Sequence, residues 1–309
     1  MKKLIRPAML ITPLILGVLF PEVRVLAQSP YNFIKWALCV MIFINSLQIR
    51  PSELKPCKEH WVLLAANILL GVVPFFLLQS AGCDTMAQAA FFTGIAPTAV
   101  ASSVVVALLN GSIGFALTAF VISNVGIATV LLFLLPLVTG NLALDFFFSV
   151  LRSLIEAIAL PLLAAQILCR IFPRLRDSAG KLKMCSLSLW SLSLFIIVAV
   201  ARDYLDLQND TISGMLLPAG VSLFMCALNF ITGFWINRRF RRESSQMLGQ
   251  KNTTLALFLA LEYSGGAAVL ALVFYVIYHN IWNSLQLLAF PGKIKPVAPD
   301  ADLLTEAEH

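Results

Sequence analysis

The chain has 309 residues, 59% of them hydrophobic and only 12% charged, with a mean hydropathy of +0.87. A soluble domain carries roughly twice that charge, which argues against a soluble enzyme. The net charge is +6 and the pI about 9.1, but the basic residues cluster between apolar stretches of bilayer-spanning length, roughly 20 residues each. They read as topology determinants and lipid contacts, not as a nucleic-acid surface.

Ten apolar spans are predicted, over residues 4–20, 32–48, 60–81, 86–109, 112–138, 145–169, 185–202, 211–236, 244–263 and 264–288. The first follows Met1-Lys2-Lys3 and is interrupted by Arg6, Pro7 and Pro13. It reads as a span and not as a signal peptide, because nine hydrophobic segments follow it. The fourth contains Gly94 and Pro97 near its middle, then Thr98 and the pair Ser102-Ser103. Proline removes a backbone donor and clashes with the preceding turn, so an interruption is predicted there. The sixth carries Arg152 and Glu156 at i,i+4 spacing. These two either pair with each other or leave Glu156 to carry a proton.

The ninth span reads Gly249-Gln250-Lys251-Asn252-Thr253-Thr254 about a third of the way in. Polar residues at that depth must face protein or water. A helix starting only at Thr253 would cover about 17 Å, too short to cross, so a broken span is predicted here too. In the tenth, Tyr275, Tyr278 and Trp282 form a predicted interfacial aromatic cluster. His60 and His279 lie near span ends without a second ligand at metal spacing, and Glu262 is expected at an interface. The six cysteines are scattered without a C-x-x-C pair, so neither a disulfide framework nor a metal site is expected. Residues 289–309 form a polar, proline-containing tail, predicted to be disordered.

Basic residues test this topology. With the N-terminus in the cytoplasm, 17 of the 22 Lys and Arg residues fall in cytoplasmic segments, three (Arg24, Lys35, Arg202) on the other side, and Arg152 and Lys251 inside spans. That asymmetry supports an even number of spans with both termini cytoplasmic.

A faint internal repeat is also present. Pro13 to Pro21 at the end of span 1 is similar to Pro161 to Pro173 at the end of span 6, and a Trp-containing span follows each (Trp36, Trp190). Spans 4 and 9 both carry a break followed by paired hydroxyls, Ser102-Ser103 and Thr253-Thr254. A period of five spans inverts the second copy, an architecture common in secondary transporters. The expected fold class is therefore an all-α integral membrane protein of ten transmembrane helices, in two inverted five-helix repeats (1–140 and 141–288) with broken, crossing helices 4 and 9. Each break opens a half-helix whose N-terminus offers unpaired N–H groups and a positive dipole end. Two such ends at the midplane suit an anion, a carboxylate above all. The predicted substrate-site residues are Pro97, Thr98, Ser102, Ser103, Asn252, Thr253 and Thr254; Lys251, Gln250, Ser102 and Glu156 are candidates for ion coupling.

At this point the sequence resembles the bile acid:sodium symporter (BASS) family. Leu19-Phe-Pro-Glu22 and Ile42 to Leu54 look like that family's first two helices and loop. Pro97 to Ser103 looks like its fourth-helix crossover, and Gly249-Gln-Lys-Asn252 resembles its ninth-helix crossover, where the family has Gly-Met-Gln-Asn. The resemblance covers residues 1 to about 288. It implies a bacterial member in the cytoplasmic (inner) membrane, with the substrate site beside the crossing helices. It also implies two sodium sites, and here the chain departs. The family's glutamate and glutamine at the ninth-helix break fall on Met247 and Lys251, its Ser-Asn pair on Ser102-Ser103, and two hydroxyl ligands on Ala116 and Phe120. An ammonium where a cation should sit opposes sodium binding. Lys251 is expected to replace the bound sodium; the alternative is that it snorkels to the surface, since it lies roughly 13 Å from Arg242 along a helix.

The expected function is alternating-access secondary transport of a small organic anion, bile-acid-like or smaller. The alternatives are a sodium-coupled symporter with altered sites, a channel or receptor, and a membrane-embedded enzyme. The expected partners are the anion, a sodium ion or proton as coupling ion, and the lipid bilayer; no cofactor is expected. Against an enzyme, there is no H-E-x-x-H, no G-x-S-x-G and no pair of aspartates within spans. No filter-like ring of charge is visible, and there is no Walker motif.

Overall fold

The structure is a computed structural model of the chain, and it describes residues 12–13, 15–27, 32–47, 49–99, 101–207 and 213–289. Much of the predicted first span, and the predicted tail beyond Ala289, lie outside these residues. The described residues form α-helices and short 3-10 turns with no β-strand: α1 (Phe33–Ser46), α2 (Lys58–Ser80), α3 (Asp84–Ile95), α4 (Ala101–Leu108), α5 (Ile113–Thr139), α6 (Leu144–Leu154), α7 (Leu160–Ile171), α8 (Leu175–Leu207), α9 (Ser213–Ile236), α10 (Arg241–Gly249), α11 (Thr253–Tyr263) and α12 (Gly266–Ala289). A π-turn, Ile155–Ala159, joins α6 to α7.

Among the described residues, five helices are long and apolar enough to cross a membrane: α2, α5, the joined α6–α7, α9 and α12. Their outer faces present large, exposed apolar side chains, among them Leu69, Phe133, Leu163, Phe224 and Trp235. Such a surface marks lipid contact, and the chain is an all-α membrane protein. Shorter apolar helices are α1, α11 and the Ser188–Val200 part of α8. The predicted spans 86–109 and 244–263 are each two helices, α3 with α4 and α10 with α11.

In lipid, helices associate by close packing of small residues more than by hydrophobic burial. That device appears twice. A Cβ on Gly94 would lie 2.3 Å from the Leu70 carbonyl oxygen, which lets α3 press against α2. A Cβ on Gly233 would lie 2.3 Å from the Ser244 carbonyl oxygen, which lets α10 press against α9. Helices α2, α3, α5, α9, α10 and α12 pack mainly on one another. Helix α1 packs on α7, α8 and the π-turn, and meets the first group through α11. Buried aromatic and branched residues fill the interior, including Phe75, Phe91, Phe92, Ile127 and Leu131.

Candidate functional site

The break between α3 and α4 follows from Pro97. The residue before a proline is driven out of helical geometry, and Ala96 has φ −46° and ψ 134°. Proline has no N–H to give the Thr93 carbonyl, and that carbonyl accepts from Asn229 Nδ2 at 3.3 Å instead. The next amide, Thr98 N, donates to Ser123 Oγ at 3.1 Å. The carbonyl it would have served, that of Gly94, accepts from Lys251 Nζ at 2.7 Å. Ala99 N donates to the Gln250 carbonyl at 2.9 Å. The Thr93 and Gly94 carbonyls and the Thr98 and Ala99 amides thus each have a replacement partner, as buried peptide groups require.

The second break mirrors this accounting without a proline. Asn252 N donates to the Pro97 carbonyl at 2.7 Å. The Met247 carbonyl accepts from Thr98 Oγ1 at 2.6 Å, and the Gly249 carbonyl from the Tyr275 hydroxyl at 2.8 Å. Thr98 and Lys251 form an isolated antiparallel bridge. The two interrupted segments therefore meet in the interior as extended backbone joined by this single bridge. Asn124 of α5 steadies the pair by donating to the Thr98 carbonyl at 3.0 Å.

The crossover gathers most of the predicted site residues. Pro97, Thr98, Ser102, Ser103, Lys251, Thr253 and Thr254 are buried there, and Asn252 is half-buried. Ser102 Oγ donates to the Ala99 carbonyl at 2.5 Å, within its own turn. Asn252 Oδ1 caps α11 by accepting from Leu255 N at 3.3 Å. Gln250 contributes its backbone carbonyl, while its buried side-chain oxygen has no protein partner. Neither cavity of note is lined by a crossover residue. One, about 470 Å³, is an apolar groove between α2 and α9; the other, about 290 Å³, lies beside Asp84, Gln88 and Thr139.

Lys251 does not snorkel. Only 1% of it is exposed, and its ammonium donates to Asn67 Oδ1 and the Gly94 carbonyl. Asn67 in turn donates to the Ala96 carbonyl at 3.3 Å. The cation thus sits on the carbonyl end of α3, where the helix dipole is negative. No carboxylate pairs with it among the described residues.

Two expectations end up elsewhere. Glu156 is not part of the crossover: it accepts from Arg152 Nε at 2.7 Å and also pairs with Lys35 of α1. The predicted interfacial aromatic cluster is corrected at Tyr275, which is fully buried and whose hydroxyl supports the Gly249 carbonyl. The residues that sequence reading missed are Asn67, Ser123, Asn124, Asn229 and Tyr275. Their one common signal is a polar group inside an apolar span, which lipid penalises unless a partner is near.

The fold and this site define a class, a helical membrane protein in which two interrupted helices meet in the interior. A search of protein-family models finds none that matches the chain, and a search of curated proteins returns no match.

Proposed function

We propose that the chain is a secondary transporter of a small organic anion, built as a ten-helix inverted repeat like the BASS family it resembles. The five long helices, the two broken ones, α1, α8 and the predicted first span together make ten. The observation that carries this reading is the antiparallel pairing of Thr98 with Lys251 at two helix breaks. Interrupted helices in corresponding halves are the usual pointer to a transporter's binding site.

The half-helices α4 and α11 begin at the crossover, so their N-termini can hold a carboxylate with help from Ser102, Ser103, Thr253 and Thr254. The carbonyl ends of α3 and α10 attract positive charge instead. Lys251 supplies that charge from within the chain, at the Gly94 carbonyl. Transport then needs no sodium. Access to the buried crossover comes from movement of the α1–α7–α8 group against the other helices, with both termini in the cytoplasm.

Uptake by purified protein in proteoliposomes tests the proposal, with pyruvate, aspartate, gluconate and taurocholate as labelled probes. Saturable counterflow of at least one probe is expected. Absence of counterflow for every organic anion tried would count against transport of this class.

A further inference from the structure

Helices α2 and α9 both pack on α3 and touch each other only sparingly. Between them lies the apolar groove of about 470 Å³. One wall is a face of α2 on which Val62, Ala65, Leu69 and Val73 recur every three or four residues, ending at Pro74. The other wall is a face of α9 made by Leu228, Thr232 and Ile236, four residues apart. Ala66 is buried at the groove and leaves its floor low. From Val62 to Pro74 the helix rises about 18 Å, close to the hydrocarbon depth of a single leaflet, about 15 Å.

The outer end of the groove is basic. Lys58 opens α2 one turn before Val62 and shares its face. Helical side chains lean toward the N-terminus, so Lys58 leans out of the groove toward the headgroups. Helix α9 ends at Ile236, and Arg238 and Arg239 follow. A stack of side chains ties the two helix ends together. The Arg239 guanidinium lies 5.2 Å from the Phe240 ring centroid, Phe240 stacks on Phe115 at 4.2 Å, and Phe115 stacks on His60 of α2 at 4.3 Å. Lys58 and Arg238 are exposed. Glu59 is the one carboxylate among residues 57–60 and 237–240, against the three cations Lys58, Arg238 and Arg239, so positive charge prevails. Trp61 and Trp235, both exposed, stand next to Val62 and Ile236, and exposed indoles mark the level of the headgroups.

In a bilayer some acyl chain covers every outer face, and lipid tails are as apolar as leucine, so burial alone selects no lipid. Two features select one here. A groove surrounds a chain on several sides and gains dispersion contacts that a convex face cannot offer. Cations at its mouth favour an anionic headgroup over a zwitterionic one. A partner helix fits poorly. A helix about 10 Å across and 18 Å long occupies on the order of 1,400 Å³, far more than the groove holds, so it would rest on the rim above Ala66.

We propose that the groove between α2 and α9 is a binding site for one anionic phospholipid, with an acyl chain along Val62–Pro74 and the phosphate at Lys58 and Arg238. The chain fills the gap between two helices that otherwise meet through α3. It lies against the residue next to Asn67, the partner of Lys251. The site stands whether or not the chain transports an anion.

The test uses the full chain, purified in detergent and stripped of lipid. A trace of phosphatidylglycerol carrying a diazirine on one acyl chain is added and photolysed, and labelled peptides are mapped by mass spectrometry. Labelling is expected to concentrate on residues 62–74 and 228–236, several-fold above the comparably exposed surroundings of Phe133 and Leu163. Unlabelled phosphatidylglycerol should suppress it, and phosphatidylcholine with the same chains should not. Lys58→Gln with Arg238→Gln should lower groove labelling roughly tenfold and leave labelling at Phe133 and Leu163 as in wild type. Even labelling of all outer faces would overturn the site. Equal competition by phosphatidylcholine, or unchanged labelling in the double variant, would overturn its anionic character. A dimer on size-exclusion chromatography with an unlabelled groove would give the groove to a second copy and overturn the proposal. Should the double variant not be recovered, the wild-type competition decides.

Discussion

Thr98 and Lys251 lie 153 positions apart and pair as an antiparallel bridge, with Thr98 Oγ1 donating to the Met247 carbonyl one turn before the second break. Each break thereby supplies the backbone partners that the other has lost. This reciprocity explains how two interrupted helices persist in an interior where an unpaired peptide group is costly.

The same arrangement makes Asn67 indispensable while Lys251 is present. Asn67→Leu leaves the ammonium with the Gly94 carbonyl as its remaining hydrogen-bond acceptor. A buried charge that loses a partner costs on the order of 3 kcal/mol, so thermal unfolding in detergent should occur at markedly lower temperature. Adding Lys251→Met removes the charge as well. The double variant should be more stable than Asn67→Leu alone, and a simple sum of the two single effects would contradict the contact.

Asn252 has two tasks, capping α11 through Leu255 N and lining the proposed anion site. Asn252→Ala should weaken anion binding by about 1–3 kcal/mol where a buried partner is left unpaired. Loss of the cap adds about 1 kcal/mol of destabilisation. Tracer binding to the Asn252→Ala, Thr253→Ala double variant checks this, and an unchanged affinity would move the site elsewhere.

Much of this was legible from the chain. Pro97 marked the first break because proline acts locally, and Lys251 with Asn252 marked the second because polarity at that depth is anomalous. Tyr275 was not legible: beside Tyr278 and Trp282 it reads as a membrane-interface aromatic, and only the packing of α12 on α9 and α3 turns it inward. Asn67, Asn124 and Asn229 are single polar residues in apolar helices, and nothing in local sequence says which carbonyl each will reach. Lys35 as a second partner of Glu156 was equally hidden, because the pair joins helices far apart in sequence.

Close helix contact gives a prediction about packing. Gly94→Leu places atoms where the Leu70 carbonyl already lies, and overpacking of this kind costs about 1–3 kcal/mol or more. The variant should be poorly recovered as a monodisperse protein. Gly220→Ala, at a position with open space around it, should be recovered like wild type.

Topology is checked independently of transport. Reporter fusions after Arg242 and after residue 288 should both report the cytoplasm, as the distribution of Lys and Arg requires. An exported reporter at residue 288 would rule out an even number of spans.

Replacement of a bound metal cation by Lys251 at the crossover is the step on which the proposed transport turns. It is tested most directly by initial uptake rates for the transported anion, measured in sodium and in sodium-free buffer, for wild type and Lys251→Gln. Wild-type rates should be equal in both buffers, and Lys251→Gln should either lose uptake or show a sodium response. Wild-type uptake that depends strongly on sodium would contradict it.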